Sequence, residues 1–145
     1  MYIISGDIVQ AIIKILKDNK KHKILLVDDV PEIGELVKII LERHSFMVDI
    51  ARDARNGLIK AADGNPDLIL MDIFLPDTLG VDATIKLREN GFKKPIILFS
   101  VLSELEGIAK EAKRAGADDY ITKPFEVDDF VNRVKCSLKE NVTAL

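Results

Sequence analysis

The chain has 145 residues, 48% hydrophobic and 31% charged, with a net charge of −3 at pH 7, a balance that excludes a disordered chain and a membrane-embedded one and fits one domain. Its single cysteine, Cys136, excludes an internal disulfide and a multi-cysteine metal cage, so a reducing, cytoplasmic setting is expected. Residues 1–23 hold five lysines against Asp7 and Asp18, leaving an acidic body that argues against nucleic-acid binding, which needs a basic face, and suits cation capture.

The N-terminal segment carries the first helical pattern. Ile8, Val9, Ala11, Ile12, Ile13, Ile15 and Leu16 fill an arc of about 200° on a helical wheel, and Asp7, Gln10, Lys14, Lys17 and Asp18 fill the rest. Ser5 is the expected N-cap and residues 19–22 the linker. So wide an apolar arc exceeds one shallow contact, and pairing with a second copy in a homodimer is the favoured reading over folding back on the domain. A membrane surface ranks below both, since the apolar face lacks Trp and Phe. No signal peptide is expected, and the apolar stretches are too short to span a bilayer.

From residue 23 onward, short apolar runs alternate with stretches of helical period, the pattern of βα units. Strands are predicted at Ile24–Val27, Met47–Ala51, Leu68–Ile73, Ile96–Phe99 and Asp119–Thr122. The helical stretches carry Ile33, Leu36, Val37, Ile40 and Leu41; then Leu58, Ile59 and Ala62; then Ala83, Ile85 and Leu87. The fourth carries Leu105, Ile108, Ala109 and Ala112, and the fifth Phe130, Val131, Val134 and Leu138. Pro31 suits a first helical position, Asn65-Pro66 and Lys94-Pro95 precede strands, and Gly91 and Gly116 fall where left-handed caps are wanted. The first, third and fourth strands read apolar throughout and the second and fifth do not, which makes the latter two the edges. The fold class is therefore α/β: a doubly wound (βα)5 parallel sheet of order 2-1-3-4-5, flavodoxin-like. The expected division is a helix and linker over 1–22 and one domain over 23–145.

Two of these strands end in acid. Ile24–Val27 closes on Asp28-Asp29, and the third run delivers Asp72. In this strand order the first and third strands are neighbours, so the three carboxylates converge at the switch point, where they repel unless a cation joins them. The economical reading is a Mg²⁺ site with one acid left for chemistry. Asp72 is placed for attack on phosphorus, with Asp28 and Asp29 holding the metal. Lys123 at the fifth strand end would pair with phosphoryl oxygens and Ser100 would hydrogen-bond one of them.

These pieces resemble the receiver domain of two-component response regulators: Val27-Asp28-Asp29; Met71-Asp72-Ile73-Phe74-Leu75-Pro76 followed by Gly80; Ser100; and Gly116 through Phe125, reading GADDYITKPF. The resemblance covers about residues 23–140. It implies transfer of a phosphoryl group from a histidine kinase or phosphotransfer protein to Asp72, with Mg²⁺ also contacted by the backbone carbonyl of Phe74. It implies a switch in which the Ser100 loop moves in and Tyr120 turns inward. A downstream protein would then meet the face of the fourth helix after the first strand, the fifth strand and the last helix. The Lys123–Pro124 bond is a candidate for cis.

Val101 stands where receivers commonly have Ala or Gly, and Phe74 and Leu102 are bulky and apolar at positions resembling those that tune phosphoryl lifetime. Slow exchange with water, hence a long-lived acyl phosphate, is expected. The Ser100–Lys123 segment is one residue longer than the family's usual spacing. Few residues follow the last helix, so the expectation is a stand-alone receiver, not an enzyme, acting through protein contacts. The rivals are a non-phosphorylated pseudo-receiver scaffold and a Mg²⁺-dependent aspartyl phosphohydrolase of the haloacid-dehalogenase type. The latter characteristically carries a second acid two residues on, where this chain has Phe74. His22 and His44 read as surface histidines, and Cys136 as a small buried apolar residue.

Overall fold

The computed structural model describes residues 3–18, 20–100 and 107–139. Along the chain run α1 (Gly6–Asp18), β1 (Lys23–Val27), α2 (Pro31–Arg43), β2 (Met47–Ala51), α3 (Ala54–Gly64), β3 (Leu68–Asp72), α4 (Gly80–Glu89), β4 (Ile96–Ser100), α5 (Ile108–Ala115), β5 (Asp119–Thr122) and α6 (Val127–Ser137). The strands form one parallel sheet in the order β2-β1-β3-β4-β5. β1, β3 and β4 are apolar and buried because helices cover both their faces, whereas β2 and β5 at the edges are more polar and only partly covered.

Alternation along each strand splits the core in two. Ile24, Leu26, Leu68, Leu70, Ile97, Phe99 and Ile121 point to the side packed by Val37 and Leu41 of α2 and by Phe130 and Val134 of α6. Leu25, Val27, Ile69, Met71, Ile96 and Leu98 meet α3, α4 and α5 on the other. The boundaries follow local chemistry. Pro31 opens α2, and Asn65 in the left-handed region ends α3 before Pro66. Gly116, at φ 101°, closes α5 with its N–H directed to Ala112 and Lys113 carbonyls.

Three sequence expectations change. β3 ends at Asp72 and β4 reaches Ser100. Leu36, Ile59 and Ile85 sit half exposed, because each apolar stripe is wider than the strip of sheet it covers. Cys136 is exposed, rotated off the buried face that Val131 and Val134 define on α6. Val101, Leu102 and Leu105 lie outside the described residues.

The N-terminal helix forms as expected, with the Ser5 hydroxyl oxygen accepting the Ile8 N–H at 3.3 Å. Residues 6–17 of it are all exposed, including Ile8, Ile12, Ile15 and Leu16. No helix among the described residues is long and apolar enough to cross a membrane.

Candidate functional site

Each strand tip contributes one part of a cluster at the C-terminal edge of the sheet. The Asp28 N–H still donates to the Ala51 carbonyl at 3.0 Å, carrying the β1–β2 ladder one residue past the strand. Asp28 is thereby drawn fully inside: Oδ1 accepts the Val30 N–H at 2.8 Å and Oδ2 accepts from Lys123 Nζ at 2.9 Å. Asp29 is exposed beside it. Asp72 is 7% exposed; its Oδ1 accepts the Phe74 N–H at 3.3 Å and its Oδ2 lies 3.7 Å from Lys123 Nζ. One carboxylate oxygen from each of Asp28, Asp29 and Asp72 falls within 4.8 Å of the others.

Lys123 reaches this cluster from β5. Its backbone N–H donates to the Ser100 carbonyl at 2.7 Å, which fixes the two strand ends together. The Lys123–Pro124 bond is cis. Its side chain is 7% exposed, and an unpaired charge so placed would be costly; the two carboxylates compensate it. Ser100 is buried at the neighbouring tip, while Tyr120, half buried, packs on the opposite side of the sheet with the α3–α5 core. Phe74 is 42% exposed.

Electrostatics single out Asp72. Burial, the largest influence, pushes its carboxyl above the ordinary range; Lys123 pulls it back, Asp28 raises it again, the Phe74 N–H lowers it and Asp29 raises it. A carboxylate of raised basicity, flanked by a cation and two like charges, is a stronger nucleophile than a solvated one and has a reason to bind a divalent ion. Oxygen-only donors of this kind suit a hard cation such as Mg²⁺.

The loop after Asp72 is built for close approach. A Cβ at Gly80 would overlap the Asp72 carbonyl oxygen, and the Gly80 N–H donates to the Ile73 carbonyl at 2.6 Å. Phe74 and Leu79 form an isolated antiparallel bridge across the loop. Asp77 then pins the loop to the N-terminus of the preceding helix, α3: Oδ1 accepts the Ala54 N–H and Oδ2 the Arg55 N–H, both at 2.9 Å. Sequence reasoning missed Asp77, since its partners lie 23 and 22 residues upstream and no local pattern marks them.

The family model of the response regulator receiver domain matches residues 24–135. Transcriptional regulatory protein ResD of Bacillus subtilis is 38% identical over 124 residues, covering 86% of this chain and 51% of its own length. A CheY-like receiver domain protein from Methanospirillum hungatei superposes with a TM-score of 0.77 at 33% identity, covering 83% of this chain and 95% of that one. The BeF3-activated N-terminal receiver domain of Klebsiella pneumoniae RstA matches at a TM-score of 0.77 and 30% identity, covering 81% and 99%. The chain belongs to the response regulator receiver domain family. It spans about half the length of the curated relatives it matches.

Proposed function

We propose that this protein is a phosphoacceptor receiver in two-component signal transduction, acting in the cytoplasm and taking a phosphoryl group on Asp72 from a histidine kinase or phosphotransfer protein. The observation that carries the reading is the grouping of one carboxylate oxygen each of Asp28, Asp29 and Asp72 within 4.8 Å, with the buried Lys123 side chain against Asp28 and Asp72. Asp28, Asp29, Asp72 and the Phe74 carbonyl would hold Mg²⁺, which when bound neutralises phosphoryl oxygens as the acceptor approaches.

In the transfer, an Asp72 carboxylate oxygen forms a bond to phosphorus while the phosphorus–nitrogen bond of the donor phosphohistidine breaks, leaving its electron pair on the imidazole. Lys123, 3.7 Å from Asp72, is within a small side-chain movement of the incoming oxygens and offsets their charge. Ser100 donates its hydroxyl to one of them, and Tyr120 follows the Ser100 loop inward. The face formed by α5, β5 and α6 then presents a changed surface to a downstream protein. Phe74 and Leu102, bulky and apolar, would slow the approach of water, giving a long-lived acyl phosphate. The exposed apolar arc of α1 supports pairing with a second copy.

Beryllofluoride with Mg²⁺, followed by amide chemical shifts, tests the reading, with acetyl phosphate and intact mass as the covalent check. An adduct on the wild type and none on Asp72→Asn is expected. Turnover of phosphate esters would instead indicate the hydrolase rival, and no adduct with either reagent the scaffold.

A further inference from the structure

The ammonium of Lys123 has a third neighbour besides its two carboxylates: it stands 4.1 Å above the ring centroid of Phe99. The sheet register explains why. Asp72 pairs with Phe99 and Phe99 with Ile121, so the three share one row across β3, β4 and β5, and Lys123 lies two residues beyond Ile121 on the same face. Phe99 is fully buried, and a desolvated ring face attracts a cation more strongly than an exposed one. Charge above and ring below leave the ammonium between Asp28 at 2.9 Å, Asp72 at 3.7 Å and the aromatic face.

We infer that Phe99 is a positioning residue for Lys123, its ring acting as the seat on which the ammonium moves from Asp28 toward the phosphoryl group on Asp72. The functional half rests on the phosphoacceptor reading. A ring attracts the cation without a directed hydrogen bond, so it holds the ammonium in the pocket while leaving its N–H donors free to exchange one oxygen for another. An aliphatic residue of similar bulk would fill the core and supply no such attraction. The attraction is diffuse over the ring face, so a movement of an ångström or so costs little.

The test uses lysine labelled with ¹³C at Cε in the full chain, the Lys123 signal being assigned by its loss in Lys123→Arg. In metal-free protein the Lys123 ε-methylene protons are expected upfield of the other lysines through the ring current, returning toward them in Phe99→Leu and staying shifted in Phe99→Tyr. Modification by acetyl phosphate is expected to slow on the order of ten-fold in Phe99→Leu and to recover in Phe99→Tyr, with thermal unfolding of all three recorded. An unshifted Lys123 signal in the wild type overturns the inference without any variant. So does a Phe99→Leu rate equal to wild type, or a Phe99→Tyr rate as slow as the leucine variant, which marks packing alone. If the wild type takes no phosphoryl group yet its Lys123 signal is ring-shifted, the receiver reading fails and the seat stands.

Discussion

At the level of single residues, the site is a balance between charge and burial. Asp72 is held where its charged form is disfavoured, and that has a sign in stability. With its carboxyl raised in the native state, the native chain binds the proton over a wider range than the unfolded chain, so stability is lost as pH rises from the ordinary carboxylate value toward the raised one. Asp72→Asn removes this loss, while Lys123 keeps Asp28 as partner. In metal-free buffer the melting temperature of Asp72→Asn should exceed wild type at pH 7, with the gap closing toward about pH 4; a lower value at pH 7 would contradict the electrostatic account. Gly80 makes a steric prediction at the same loop. Gly80→Ala should cost about 1–3 kcal/mol in urea unfolding through overlap with the Asp72 carbonyl. Gly64→Ala, where a Cβ meets nothing within 4 Å, should gain about 0.5–1 kcal/mol.

Among elements, the loop after Asp72 and α3 behave as a joined pair. α3 has its own N-cap, Asp53, whose side chain accepts the Asn56 N–H at 2.7 Å, yet Asp77 also occupies that terminus. Slight burial pushes the Asp77 carboxyl up, but the N–H groups of Ala54, Arg55 and its own loop outweigh it and hold it below the usual range. Its contribution is therefore present above the unfolded carboxylate value and lost as pH falls through the lowered one. Asp77→Ala should cost about 1 kcal/mol in urea unfolding at pH 7, with the difference from wild type shrinking below about pH 4. A cost independent of pH would show that the cap is not ionic. A second clasp fixes the far end of the sheet. Arg88 of α4 donates to the carbonyls of Phe92, Lys94 and Gly116 and pairs with Asp118 at 2.9 Å, tying the two loops that enter β4 and β5.

For the whole molecule, the sheet and its two helical layers form a closed unit to which α1 adds almost nothing, since residues 6–17 are exposed. Large aliphatic side chains at 38–66% exposure along one helix, with Ile3 at 90%, are more than a monomer surface ordinarily presents. Sedimentation of the full chain against one lacking residues 1–22 should show a fall from two copies to one. An unchanged mass would remove the second-copy reading.

Strand identity, order and the convergence of Asp28, Asp29 and Asp72 were legible along the chain, because burial on both faces writes itself as uninterrupted apolar runs and strand order then dictates which tips are neighbours. The capping residues Ser5, Pro31 and Gly116 were legible for a local reason: each acts within a few residues of itself. Phe99 beneath Lys123, Asp77 on α3 and Arg88 across two loops were not. Their partners are set by lateral register and by which side of the sheet a residue faces, and a linear pattern carries no information about either until neighbouring strands are aligned. Cys136 failed for a related reason, since a rotation of one residue on α6 separates the buried face from solvent. The amino-acid sequence by itself determined the kinds of element and the chemistry at their tips; the tertiary structure alone decided which side chains stand within a few ångströms of the ammonium, because distances across a sheet follow from packing, not from order along the chain.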